Sequence, residues 1–230
     1  MLPQPGQGPL PSDVQVLSRP LRGGPVEKLW SAGTSVANVH VSNGTVTWQE
    51  SSPHGRQRVA YLRAGTREPV FVDGGRYDVV TALPTIHGDK LGYAKVYTDK
   101  DGYQQVSTEI TDVRSGKQTL VPAKGGRLGT GRKDIVPEDS EDSEDSYFWN
   151  VDASDSAVTL TQWQPRQGWS NANLTKLVQT DLDGKGVVRV SRNRGEQTGH
   201  AADTGRRVVW IDGTTGHTDL VTRARPAGTC

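Results

Sequence analysis

Asn43-Gly44-Thr45-Val46-Thr47-Trp48 reads as a tight turn running into a short alternating strand that ends in an aromatic. Asn and Gly both tolerate the positive φ angles of a two-residue type I′ turn, so Asn-Gly between alternating apolar residues marks a hairpin. The unit returns as Gly88-Asp89-Lys90-Leu91-Gly92-Tyr93, as Asp155-Ser156-Ala157-Val158-Thr159-Leu160 with Trp163 beyond, and as Asp203-Thr204-Gly205 leading to Val208-Val209-Trp210. Recurrence about every 45 to 50 residues is the mark of a repeat architecture, whose units bury their apolar faces against their neighbours.

Outward from that stretch, the first unit spans about Val36 to Gly75. It holds Val39 and Val41, then Val46 and Trp48, then Arg58 to Leu62, a turn at Ala64-Gly65, and Val70-Phe71-Val72. The second repeats the order from Tyr77 to Ala123, through Val79-Val80, Leu91 to Tyr97, an Asp101-Gly102 turn, Val106 to Ile110, a Ser115-Gly116 turn and Leu120-Val121. The third runs through Tyr147-Phe148-Trp149, Val158 to Trp163, Leu174 to Leu182 and Val187-Val188-Arg189-Val190. The last, from about His200, offers Arg207 to Ile211, turns at Asp212-Gly213 and Thr215-Gly216, and Asp219 to Thr222. Ahead of them all, Val14-Gln15-Val16 and Val26 to Trp30 flank Arg22-Gly23-Gly24-Pro25, two strands resembling the outer half of a unit. No apolar spacing of three and four persists beyond two turns, and β-branched residues fill the candidate segments, so no helix is expected.

Four-stranded units at this period are similar to β-propeller blades. The WD dipeptide of WD40 blades is absent, and the turn-aliphatic-aromatic strand followed by an Asp/Gly hairpin resembles the TolB-type propeller blades of bacterial proteins, over roughly residues 14–222. The expected fold is all-β and β-propeller-like, with about three full four-stranded blades plus two half-blades. The halves would join as one composite blade in a closed four-blade ring, or belong to part of a larger ring. The lack of a leader and the terminal Cys230 favour the second. Residues 1–12 read as a flexible lead, 13–222 as the propeller domain and 223–230 as a tail. Within the domain, residues 124–146 carry four glycines and three Glu-Asp-Ser triplets, a disordered acidic insertion too charged to bury apolar area.

Composition excludes several classes. Only 33% of residues are hydrophobic, which suits sheets with one wet face, as do 27 glycines and 13 prolines. A net charge of +1 gives no field for nucleic acid, and no apolar run is long enough for a membrane span. Met1-Leu2-Pro3-Gln4-Pro5-Gly6 is no signal peptide, so the chain as written is soluble and cytoplasmic, or secreted or periplasmic if its N-terminus is truncated. Arg outnumbers Lys two to one and Met occurs once, as in GC-rich bacterial sequences. Cys230, the single cysteine, allows no internal disulfide and no cysteine metal cage.

Candidate chemistry is sparse. Asp181-Leu182-Asp183-Gly184-Lys185-Gly186 opens like a calcium loop, but Lys185 takes a ligand position and Arg192 stands where a bidentate Glu belongs, so it reads as a hairpin turn. Asp99-Lys100-Asp101-Gly102 reads likewise. His40, His54, His87, His200 and His217 are too scattered for a metal pair, and no cofactor is expected. No G-x-S-x-G elbow, Walker loop or dinucleotide fingerprint occurs, and the acidic stretch supplies no desolvated carboxyl, so no catalytic residue is assigned. Trp48 and Trp210 end alternating strands at equivalent places and are expected in the core. Trp169 lies in a polar loop and, with Arg166 and Asn171, forms the candidate ligand contact. The expected function is a non-enzymatic scaffold for a protein or glycan partner. Alternatives are the propeller portion of a larger peptidase or glycosidase, or a truncated reading-frame fragment.

Overall fold

The computed structural model describes residues 14–32, 35–51, 56–73, 76, 79–98, 104–121, 147–154, 157–164, 174–183, 185, 188–190, 196–202 and 207–224. Every regular element among them is a strand. A two-stranded sheet opens the chain, β1 (Val14–Ser18) and β2 (Glu27–Ala32). The first blade is β3 (Val36–Ser42), β4 (Thr45–Ser51), β5 (Gln57–Leu62) and β6 (Val70–Phe71). The second is β7 (Val79–His87), β8 (Lys90–Thr98), β9 (Gln104–Asp112) and β10 (Gln118–Val121). The third is β11 (Tyr147–Ala153), β12 (Val158–Gln164), β13 (Leu174–Thr180) and β14 (Val188–Arg189). The last is β15 (Gln197–Ala202), β16 (Arg207–Asp212) and β17 (Asp219–Ala224). All are antiparallel meanders in sequence order, the four blades of a β-propeller, so the all-β, propeller-like expectation holds.

One detail differs from the sequence reading. The last unit holds three strands rather than an inner pair; Gln197-Thr198-Gly199-His200-Ala201-Ala202 lacks the β-branched alternation that marks a strand, so the sequence does not signal it. Among the described residues β1–β2 and β15–β17 share no ladder, so they do not merge into a composite blade.

Alternation along each strand gives each sheet two faces, and neighbouring sheets bury apolar residues on the faces they turn to each other. Val16 packs with Trp48, Ala60 and Leu62, joining the opening sheet to the first blade. Val59 and Tyr61 pack with Ile86, Leu91, Tyr93 and Val113, joining first to second. Ile110 and Val121 meet Val151, Val158, Leu160 and Val178, joining second to third. Leu177 and Val190 meet Val208 and Trp210, joining third to last. The core is therefore four successive joints. Trp48 and Trp210 lie in them, buried as expected.

Polar groups cross the same joints. The Val59 amide donates to Thr81 Oγ1 at 2.7 Å, and the Leu177 amide donates to Gln197 Oε1 at 3.1 Å. These are equivalent positions in the repeat, since Val59 pairs with Gln49 opposite Ala37, and Leu177 with Thr161 opposite Trp149. Buried indoles find carboxylates two residues on: Trp48 Nε1 donates to Glu50 Oε2 at 2.8 Å and Trp210 Nε1 to Asp212 Oδ2 at 3.0 Å. Glu50 Oε2 also accepts from Trp30 of the opening sheet at 3.0 Å, and its Oε1 from Arg58 at 2.7 Å. In the second blade Tyr93 donates its hydroxyl to Glu109 at 2.9 Å. Burial first, then the Glu109 charge, raises the Tyr93 phenol above its ordinary pKa.

Asn43 and Gly44 have φ of 47° and 74°, the positive pair of a type I′ turn. Gly92 is required for another reason. A Cβ there would stand 2.4 Å from Val151 Cγ1 across the joint between the second and third blades. Gly92→Ala should therefore destabilise the protein by about 1–3 kcal/mol through overpacking, and adding Val151→Ala should recover part of the loss. Additive losses in urea unfolding would refute the close approach as the cause. Glu50→Gln leaves one acceptor oxygen for two indoles and a guanidinium, and should cost about 1–3 kcal/mol with altered tryptophan fluorescence; an unchanged unfolding midpoint would show that the carboxylate is not needed.

Candidate functional site

The first strand of every blade is bulged at an equivalent place. Asn38-Val39 together face Trp48, Leu83-Pro84 face Tyr93, and Gly199-His200 face Trp210, each two residues against one. In the third blade the register shifts between Trp149 and Val151, beside Leu160. Asn38, Leu83 and Gly199 take φ of 50°, 54° and 56°. Asn and Gly visit that region readily, whereas Leu does not, and the Leu83 amide is held by Gln49 Oε1 of the first blade at 2.8 Å. The bulges re-aim the residues that follow them along the innermost strands.

Those residues include polar side chains of the inner strands. His40, Thr85, Asp152 and Ala201 occupy equivalent positions, paired with Thr47, Gly92, Thr159 and Val209. Thr85 Oγ1 donates to Asp152 Oδ1 at 3.1 Å, linking second and third blades. His200, on the bulge of the last blade, lies 3.2 Å from Thr161 Oγ1 through Nδ1 and 3.1 Å from the Thr159 carbonyl through Nε2. With Nε2–H donating to that carbonyl, Nδ1 accepts from the Thr161 hydroxyl. Both ring nitrogens are thereby occupied, so in this arrangement His200 neither takes a proton from a substrate nor ligates a metal. It clamps the last blade to the third.

Burial lowers the His200 pKa below the ordinary imidazole value, and the nearby Asp152 charge pulls the other way. The unfolded chain therefore binds this proton first as pH falls below about 6.5. The stability tied to neutral His200 is complete above that pH and declines on acidification toward its folded pKa. Asp112, held down to about 2 by the Ser115 amide and Lys90, titrates well below this window. His200→Gln should flatten the loss of stability as pH falls below about 6.5; equal slopes in variant and parent would exclude His200 as the source.

The sequence-derived candidates fare differently. Trp169, Arg166 and Asn171 lie outside the described residues, as do His54, Asp99-Lys100-Asp101-Gly102 and the acidic insertion 124–146. The strand ends around them are described: Tyr147, the first residue of β11, pairs with Trp163 near the end of β12. The start of β11 therefore lies beside the end of β12. Asp181 Oδ1 accepts from the amides of Asp183 and Lys185 at 2.9 and 2.8 Å, the geometry of a turn, as expected for that segment. Among the described residues no three His, Cys, Asp or Glu side chains gather as a metal site, and no helix is long and apolar enough to cross a membrane. The Thr85–Asp152 and Thr161–His200 pairings escaped sequence reading because their members lie 67 and 39 residues apart. The one local signal was a small, φ-permissive residue before a polar one inside a strand, as in Gly199-His200.

No known family model matches the chain, and no curated protein matches it by sequence. Solved structures do match its fold. A putative TolB from Agrobacterium tumefaciens is similar with a TM-score of 0.56 and 14% identity, over 90% of this chain and 69% of that one. TolB from Acinetobacter baumannii is similar with 0.55 and 9%, over 91% and 46%. An oligogalacturonate lyase from Vibrio parahaemolyticus is similar with 0.58 and 8%, over 92% and 55%. The chain thus spans about two thirds of the first and about half of the other two. The fold is a TolB-like β-propeller.

Proposed function

We propose that this propeller is a non-catalytic binding scaffold whose blade connections recognise a protein or glycan partner. The observation that carries this reading is the commitment of buried polar groups to the joints. Glu50, Glu109, Asp212 and His200 all hold sheets or neighbouring strands together. A rigid stack of that kind positions connections, and recognition belongs to residues the scaffold does not consume. The 165–173 connection, with Trp169, Arg166 and Asn171, supplies an aromatic face, a guanidinium and an amide, a set that stacks on and hydrogen-bonds to sugars or peptides.

The likeness to an oligogalacturonate lyase makes a uronate oligosaccharide the first glycan to try, and supports a second reading, the propeller portion of a carbohydrate-cleaving enzyme. One experiment addresses both. In the scaffold reading oligogalacturonate, or a partner captured by pull-down, binds without turnover, and Trp169→Ala weakens binding at least about tenfold with an unchanged melt. Unaltered binding removes Trp169 from the site; product release from oligogalacturonate favours the enzyme.

A further inference from the structure

Two faces of the stack are open, and the repeat itself says what surface each one fits. In the register shared by the blades, Leu220 occupies the position of Val59, Thr108 and Leu177, paired with Ile211, Gln49, Ala94 and Thr161 respectively. Val59, Thr108 and Leu177 are each 0% exposed against the following blade, whereas Leu220 is 79% exposed and Ile211 beside it 38%. At the other end, Val41 occupies the position of Ile86, each directly opposite the residue that follows its hairpin, Val46 or Leu91. Ile86 is 7% exposed; Val41 is 69% exposed and Val39 53%. The opening sheet covers Trp48, Val46 and Val36 but leaves Val39 and Val41 of β3 exposed.

These two faces are complementary halves of one kind of joint. Between the first and second blades Val59 and Ile86 pack in a single cluster, and they are the equivalents of Leu220 and Val41. Within one molecule the faces do not meet, since both are exposed. The edges agree with the faces. The last blade ends in β17 with no fourth strand beyond it among the described residues, and β1 of the two-stranded opening sheet has one free edge. Leu17 on that strand is 53% exposed. Set beside β1, strands β17 and β16 would lie over β3, bringing Leu220 and Ile211 onto Val41 and Val39. That closes the two open edges and the two bare faces in one contact.

We infer that the protein associates head to tail, the Leu220 face of one copy seated on the Val41 face of a second copy. The contact is heterologous, so each molecule offers one of each face, and association can continue beyond a dimer unless the geometry closes a ring.

Sedimentation of the 230-residue chain over a range of concentrations tests this. The average mass should rise above the 24.9 kDa of one chain as concentration increases. Leu220→Lys and Val41→Lys, both at exposed positions, should each weaken association at least about tenfold with unchanged circular dichroism and melting. The mixture is the decisive arm. The first variant keeps an intact Val41 face and the second an intact Leu220 face, so together they should form a one-to-one complex and nothing larger. A mass of one chain at every concentration overturns the inference, as does association that either substitution leaves unchanged, or a mixture that stays monomeric. A partner captured at Leu220 by a chain that never self-associates would assign the face to another protein and overturn it too.

Discussion

A twisted sheet whose strands alternate apolar residues on both sides is unstable until both sides are covered, and in this protein each sheet is covered by the next. The joint is the constraint from which the rest follows. Val59 needs Ile86, Leu177 needs Val208, and Ile110 needs Val151, so no blade has a core of its own. Stability in such a stack is close to a sum over neighbouring pairs. A hydrophobic fraction of 33% suffices because burial is concentrated at the joints while outer strands and turns stay wet.

Burying indoles, a phenol and an imidazole in those joints brings polar atoms with them, and each finds a partner supplied by the same repeat. The carboxylates of Glu50 and Asp212 stand two residues beyond Trp48 and Trp210, on the same face of the same strand, and collect the indole N–H groups. Thr81 and Gln197 meet third-strand amides of the preceding blade. At the joint between the second and third blades the buried Thr108 hydroxyl is without a hydrogen bond. Satisfaction of buried polar groups thus varies joint by joint while the apolar packing persists.

The bulges tie this packing to the inner strands. A ring as wide as Trp48, Tyr93 or Trp210 faces two residues of the first strand rather than one, and the extra residue turns the strand. In the last blade that turn carries His200 onto Thr159 and Thr161; in the second it precedes Thr85, which reaches Asp152. The interior polar cluster is therefore a product of blade packing and acts as a clamp, which is why recognition is assigned to the connections.

Most of the fold was legible because its signals are local. Asn43-Gly44, the alternation of Val46 and Trp48, and the return of that pattern at Tyr93 and Trp210 specify hairpins, faces and a repeat without reference to any distant residue. β15 was missed because Thr198-Gly199-His200-Ala201 is shaped by a bulge and held by the neighbouring blade, and neither leaves a local pattern. Strand period and turn chemistry depend on residues two to four apart, so the sequence alone determined the blades, their order and the burial of Trp48 and Trp210. Which side chains meet across a joint depends on how two sheets stack. Only the tertiary structure decided that His200 faces Thr161, that Gly92 must yield to Val151, and that Leu220 and Val41 remain uncovered.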